Sequence, residues 1–144
     1  MHIRPFQDHD TSAVISLWQA CGLTRPWNDP AKDIERKLTV QPDLFLIGEL
    51  GGRIIASAMG GYDGHRGNVY YLGIHPDHQG RGYGAAIMSA LEARFLAMGC
   101  PKVNLLVRGG NQTVEGFYAT LGYERQDAGS YGKRLVPDYV KSTA

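Results

Sequence analysis

The sequence predicts a mixed β-sheet in a three-layer α/β domain, and three observations carry that expectation. Short apolar runs separated by turn signals, as on either side of Gly51-Gly52, read as hairpin-linked strands. Amphipathic helical stretches follow the fourth and fifth of these runs, which calls for crossover connections rather than further hairpins. The length of 144 residues suits one domain, 1–144, large enough to bury a core without disulfide staples.

The elements follow in order. Residues 3–6 form a short first strand. Asp8 or Asp10 can cap the next helix, whose apolar positions Val14, Leu17, Trp18 and Cys21 recur at helical spacing before Gly22 ends it. Pro26-Trp27-Asn28-Asp29-Pro30 is a loop, and a second short helix places Ile34, Lys37 and Leu38 on adjacent turns. Residues 44–50 and 53–61 pair as a hairpin. The loop Asp63-Gly64-His65-Arg66-Gly67 leads into a strand over 69–74. A long helix then carries Ile87, Met88, Leu91, Phe95 and Met98 and stops at Gly99. Residues 103–107 read as a buried strand. Residues 111–121 read as a helix with Val114, Phe117, Tyr118 and Leu121 on one side, and 122–123 and 131–135 as final strands.

Composition excludes several function classes. Fifteen basic against fourteen acidic residues leave a net charge of +1, and no basic run exists, so no nucleic-acid partner is expected. The N-terminus lacks the apolar core of a signal peptide, and no apolar run approaches the ~20 residues that span a bilayer. A cytoplasmic protein with no membrane partner is the expectation. Cys21 and Cys100 have neither metal nor redox spacing and read as packing residues. His75 and His78 flank Pro76 without a third ligand, so no metal is expected. Oligomeric state is not readable from the pattern.

The run Leu72-Gly73-Ile74-His75-Pro76-Asp77-His78-Gln79-Gly80-Arg81-Gly82-Tyr83-Gly84-Ala85 is the most informative. It reads as a strand, a proline turn and a glycine-rich loop opening into a helix. A helix start exposes unpaired N–H groups and the positive end of the dipole, and glycine lets a ligand approach the main chain. Such a loop suits phosphate or pyrophosphate. The Lys-containing phosphate loop of ATPases is absent. A dinucleotide fingerprint fails too, because Ile87 stands where its third glycine belongs and residues 103–107 supply no acid. What remains is Gln79-x-x-Gly82-x-Gly84.

That pattern resembles the cofactor motif of the GNAT superfamily of N-acetyltransferases. A second segment, Asn111-Gln112-Thr113-Val114-Glu115-Gly116-Phe117-Tyr118-Ala119-Thr120-Leu121-Gly122-Tyr123, is similar to that family's second signature and follows the first at the family's interval. The segment Leu105-Leu106-Val107-Arg108-Gly109-Gly110-Asn111 and the pair Pro26-Trp27 resemble the ribosomal-protein-alanine acetyltransferase subgroup. The resemblance implies a mostly antiparallel sheet of six to seven strands, helices on both faces, and a splay between the fourth and fifth strands. It implies acetyl-coenzyme A as cosubstrate and a primary amine, in a small molecule or a peptide, as acceptor. Leu72, Gly73 and Ile74 would lend main-chain groups to the pantetheine arm. Gln79, Gly80, Arg81, Gly82, Tyr83, Gly84 and Ala85 would hold the pyrophosphate, in agreement with the physical reading of the loop. Asn111 would touch the coenzyme, or serve as a plain helix cap. Tyr118 matches the family's general acid, able to donate to a leaving thiolate.

One departure limits the resemblance. The subgroup carries a glutamate base five residues before the Asn, and Leu106 stands there. Replacement bases are Glu49, Asp63, His65 and Tyr70, with Asp63 and His65 favoured by their place before the cofactor strand. An acyltransferase for another acyl group, and a coenzyme-binding regulatory module without turnover, are the alternatives.

Overall fold

The computed structural model describes residues 1–108 and 110–138. Its elements are β1 (His2–Pro5), α1 (Thr11–Ala20), α2 (Pro30–Lys37), β2 (Phe45–Leu50), β3 (Arg53–Tyr62), β4 (Gly67–Ile74), α3 (Tyr83–Ala97), β5 (Val103–Leu105) and α4 (Gln112–Thr120). The five strands form one sheet in sequence order. The first three neighbouring pairs are antiparallel, and β4 and β5 are parallel, joined through α3. The β2–β3 hairpin closes on Gly51 and Gly52 at φ +59° and +78°, the pair of left-handed residues that a tight hairpin turn requires.

Helices cover both faces because β2 is apolar on both sides. Phe45 and Ile47 point to one core with Val14, Leu17 and Trp18 of α1 and Ile34 of α2. Leu46 points to the other, with Ile55, Ala58 and Ile87, Met88, Leu91 and Phe95 of α3. Alternation across the pleat thus feeds two cores from one strand. Asp29 caps α2 through N–H donation from Ala31 and Lys32. Asp10 does not cap α1 with its side chain; its buried carboxylate accepts from Arg4 and from the Gln7 N–H, closing a 3-10 turn before the helix.

The sheet has five strands rather than the expected six to seven. Residues 122–123 and 131–135 are not strands. The stretch after Glu124 is charged and glycine-rich and buries almost nothing: Tyr131 is 99% exposed. A strand without an apolar face has no packing to hold it. Tyr123 docks as a loop residue instead, its hydroxyl donating to Glu92 at 3.0 Å. The strand expected over 103–107 ends at Leu105 and is only half-buried, because it is an edge strand. Its pairing with β4 stops at Val69–Leu105, whereas β4 runs on to Ile74. Beyond that point the two strands share no ladder.

Candidate active site

The end of β4 that β5 leaves unpaired contains a bulge against β3. Ser57 faces Gly73 and Met59 faces Tyr70, so Ala58 alone spans Tyr71 and Leu72. Two residues against one bend a strand and re-aim its groups. Tyr71 takes φ +51°, a region that side-chain-bearing residues avoid, and three contacts hold it there. The Ser57 hydroxyl donates to the Tyr71 carbonyl at 2.7 Å, and the Trp18 indole N–H donates to Ser57 Oγ at 2.9 Å. The Trp18 and Tyr71 rings stack with centroids 3.8 Å apart. The Tyr71 hydroxyl donates to the Asp33 carboxylate at 2.6 Å. Burial, and then Asp33, push this phenol well above the ordinary tyrosine range, so it stays a donor.

After β4 the chain turns through Pro76–His78 into the glycine loop. Gln79 ties the loop to the strand end, its amide donating to the Ile74 carbonyl at 3.1 Å. Gly82 precedes α3 at φ +83° with no side-chain cap. The N–H groups of residues 80–85 meet no acceptor among the described residues, as expected for a first turn. Nothing lies within 4 Å of where a Cβ would stand on Gly80 or Gly82. Free donors under open space fit an anionic group. Gly84 has a second reason to be glycine: a Cβ there would stand 3.0 Å from the Phe117 ring of α4. Arg81 is exposed. His78 Nδ1 is buried without a partner among the described residues.

A cavity of about 730 Å³ opens beside the bulge. Tyr70, Tyr71 and Leu72 of β4 form one side, and Leu106, Asn111 and Tyr118 the other. The Tyr118 ring packs edge-on against Phe117 and Tyr123, at 5.2 and 5.7 Å. Burial pushes its phenol up to about 12. Asn111 caps α4, Oδ1 accepting from the Val114 N–H at 3.3 Å. Leu106 is 71% exposed at the rim. Gly109, part of the resemblance, lies outside the described residues.

Leu72, Asn111 and Tyr118 thus share one cavity, Gly73 and Ile74 continue β4 from it, and residues 79–85 follow at the α3 N-terminus. Asp63 and His65 do not join them. They lie in the exposed β3–β4 turn, where the Asp63 carboxylate accepts from the His65 and Arg66 N–H groups at 2.8 and 2.7 Å. Those bonds, Arg66's first, hold its carboxyl below the usual range. Glu49 is engaged by Arg4 at 2.6 Å. The Cys21 thiol donates to the Ile74 carbonyl at 3.3 Å and burial raises it. Reading the sequence missed Asp33, Arg36 and Lys37 of α2, which line the cavity. It also missed the Trp18–Ser57 brace, because tryptophan at helical spacing reads as core whatever its N–H does. Among the described residues, no group of three or more metal-ligating side chains exists and no helix is long and apolar enough to cross a membrane.

Residues 12–123 match the family described as acetyltransferase (GNAT). An acetyltransferase of Yersinia pestis (strain Pestoides F) is 56% identical over 138 residues, 96% of this chain and 98% of that protein. Among solved structures, the ribosomal-protein-S18-alanine N-acetyltransferase of Escherichia coli superposes with TM-score 0.71 at 21% identity, covering 84% of this chain and 76% of its own. The aminoglycoside 6'-N-acetyltransferase of Acinetobacter haemolyticus superposes with TM-score 0.76 at 14% identity, covering 94% and 99%. At those identities the two structures share the fold.

Proposed function

The chain belongs to the acetyltransferase (GNAT) family, and we propose that it moves the acetyl group of acetyl-coenzyme A directly onto a primary amine, with Tyr118 donating to the departing sulfur. The observation that carries the reading is the pairing of two features. One is the run of free N–H groups at the α3 N-terminus. The other is a tyrosine whose phenol lines the cavity beside the bulged, unpaired end of β4.

Residues 80–85 hold the pyrophosphate through main-chain donors, which a helix start orients without side-chain entropy. Gln79 acts through its bond to Ile74, fixing where the loop leaves the strand. Leu72, Gly73 and Ile74 present the free edge of β4 to the pantetheine arm, as an added strand would pair. The bulge interrupts the regular register of β4, and a main-chain donor freed there would give a preorganised site for negative charge developing on the acyl oxygen. The coenzyme supplies an activated acyl carbon and a leaving thiolate. A thiol titrates near ~8.5, and burial holds the Tyr118 phenol well above that, up to about 12, so complete transfer to the thiolate is uphill. Tyr118 therefore serves as a hydrogen-bond donor that stabilises charge building on sulfur.

The amine enters neutral. An α-amine with pKa ~8 is partly neutral at pH 7 and needs little help. A base role for Asp63 or His65 has less support, since neither lines the cavity. Calorimetric titration with acetyl-coenzyme A, with ATP and NAD as controls, followed by a thiol-release assay over an amine panel, tests the reading. Saturable binding of the coenzyme alone and amine-dependent thiol release are expected. No binding at millimolar coenzyme would overturn it. The same assay with propionyl-coenzyme A tests whether acetyl is the acyl group.

A further inference from the structure

Lys37 stands on the last turn of α2, only 9% exposed, and lines the cavity that also holds Tyr118. Its ammonium has no ion pair or hydrogen bond among the described residues. The obvious partner is Asp33, one turn earlier on the same helix. That carboxylate is already taken, accepting the Tyr71 hydroxyl at 2.6 Å and facing Arg36 at 3.5 Å. The neighbouring Gln41 is locked onto Tyr62, accepting from its N–H at 2.7 Å and donating to its carbonyl at 2.8 Å. Lys37 Nζ lies beside Gly61, 3.9 Å from where a Cβ would stand there. Burial lowers its pKa with no neighbouring carboxylate to oppose the shift.

The Lys37 stem is packed away, but its nitrogen is not among the side-chain atoms cut off from solvent, so an unpaired ammonium stands at the cavity wall where an anion can reach it. The rest of the lining points the same way. Arg25 spends its hydrogen bonds on the Gly22 and Thr24 carbonyls, at 2.7 and 2.8 Å, so its charge is not neutralised. Arg108 also lines the cavity. The acids nearby, Asp33 and Asp138, both bear on Arg36. Lys37, Arg25 and Arg108 leave the cavity with an excess of positive charge. None of residues 79–85 lines it, so this charge is not the pyrophosphate site.

We propose that Lys37 binds the anionic group, carboxylate or phosphate, of a small acceptor amine whose amino end reaches toward Tyr118 in the same cavity. The inference rests on the acetyl-transfer reading above and narrows its acceptor. A cationic polyamine or aminoglycoside would meet repulsion where an anion-bearing amine gains a charge-assisted bond.

The test is a thiol-release assay on the full chain with acetyl-coenzyme A and matched acceptors. These are α-amino acids against their amides, phosphoethanolamine against ethanolamine, and spermidine. Amides have the less basic amine, so a preference for the acids cannot come from amine ionisation. The expected result is at least tenfold higher kcat/KM for the anionic member of a pair. The two kinds of pair separate carboxylate from phosphate. Lys37→Met then raises KM for that acceptor about tenfold or more, erases the acid-over-amide preference and leaves acetyl-coenzyme A affinity unchanged. Lys37→Arg restores part of the preference. Equal or better turnover of amides, ethanolamine or spermidine overturns the inference and leaves acetyl transfer standing. So does a Lys37→Met variant that shifts acid and amide alike. Failure to bind acetyl-coenzyme A overturns the acetyl-transfer reading itself, and this inference with it.

Discussion

The glycine loop and the α2 side of the cavity are built from different materials. The loop offers N–H groups of residues 80–85, positioned by Gly80 and Gly82 at φ +76° and +83° and by the start of α3. The α2 side offers the side chains of Asp33 and Lys37, hung on a helix that is capped at Asp29 and packed through Ile34. Main-chain donors depend little on side-chain identity, because any sequence with the same turn makes them. Side chains on a short helix can be exchanged without disturbing the turn. The difference teaches where a shared coenzyme and a particular acceptor should each be read.

Tyr118 stands between the two regions, and its removal is the largest expected effect. Tyr118→Phe keeps the ring packing on Phe117 and Tyr123 and loses only the donor. We expect kcat to fall by ~10²-fold or more with coenzyme affinity unchanged by calorimetry. Unchanged kcat would place the donor elsewhere.

Next is the brace behind the bulge. Ser57→Ala strips the Tyr71 carbonyl of its donor and the Trp18 indole of its acceptor at a site where Ser57 and Trp18 are fully buried. Two unsatisfied buried groups should destabilise the fold by roughly 2–3 kcal/mol, read as a lower urea midpoint at constant slope. An unchanged midpoint with activity retained would mean that the bulge stands without the brace.

The main-chain region should respond oppositely to substitution. Gly82→Ala places a Cβ in a left-handed conformation that disfavours it by ~1–2 kcal/mol, with open space around it. The loop should relax, weakening acetyl-coenzyme A about tenfold with a smaller loss of thermal stability. Full affinity in this variant would argue that the N–H array is not what binds the coenzyme.

That contrast also explains what was legible in the sequence. A glycine loop must be glycine and must precede a helix, so residues 79–85 announce themselves. Paired hairpin glycines at 51 and 52 do the same for β2–β3. The bulge depends on Ser57, Trp18 and Asp33, which lie 14 to 53 positions from Tyr71 or farther apart than any local pattern reaches. Lys37 sits among the amphipathic positions of α2, where a lysine normally extends its ammonium to water. Here the side chain instead lies along the end of β3, with Nζ beside Gly61, and its stem is buried. The last two strands failed for a related reason. Tyr131 and Leu135 have strand-like character, yet Gly132, Lys133 and Arg134 between them leave no apolar face for a sheet to cover.

The smallest effect is also the most discriminating for Lys37. A lysine that stabilises the fold should destabilise it on removal, whereas one kept for a ligand should do the reverse. Its pKa is lowered in the folded protein by burial. Below that lowered value both states carry the proton and the folded state bears the penalty of a desolvated charge. As pH rises from there toward ~10.4, the unfolded chain holds more protons than the folded one, so wild-type stability climbs and the penalty disappears. Lys37→Met removes the charge in both states and fills the same volume with an apolar chain. It should therefore raise stability slightly at pH 7, by less than a fully desolvated charge would cost because solvent still screens this ammonium, and this gain should shrink as pH approaches 10. Paired urea titrations of wild type and variant at pH 7 and pH 9.5 read the difference directly, with the other titrating groups common to both. A variant less stable at pH 7 would make Lys37 a structural residue and remove the physical reason for placing an anion beside it.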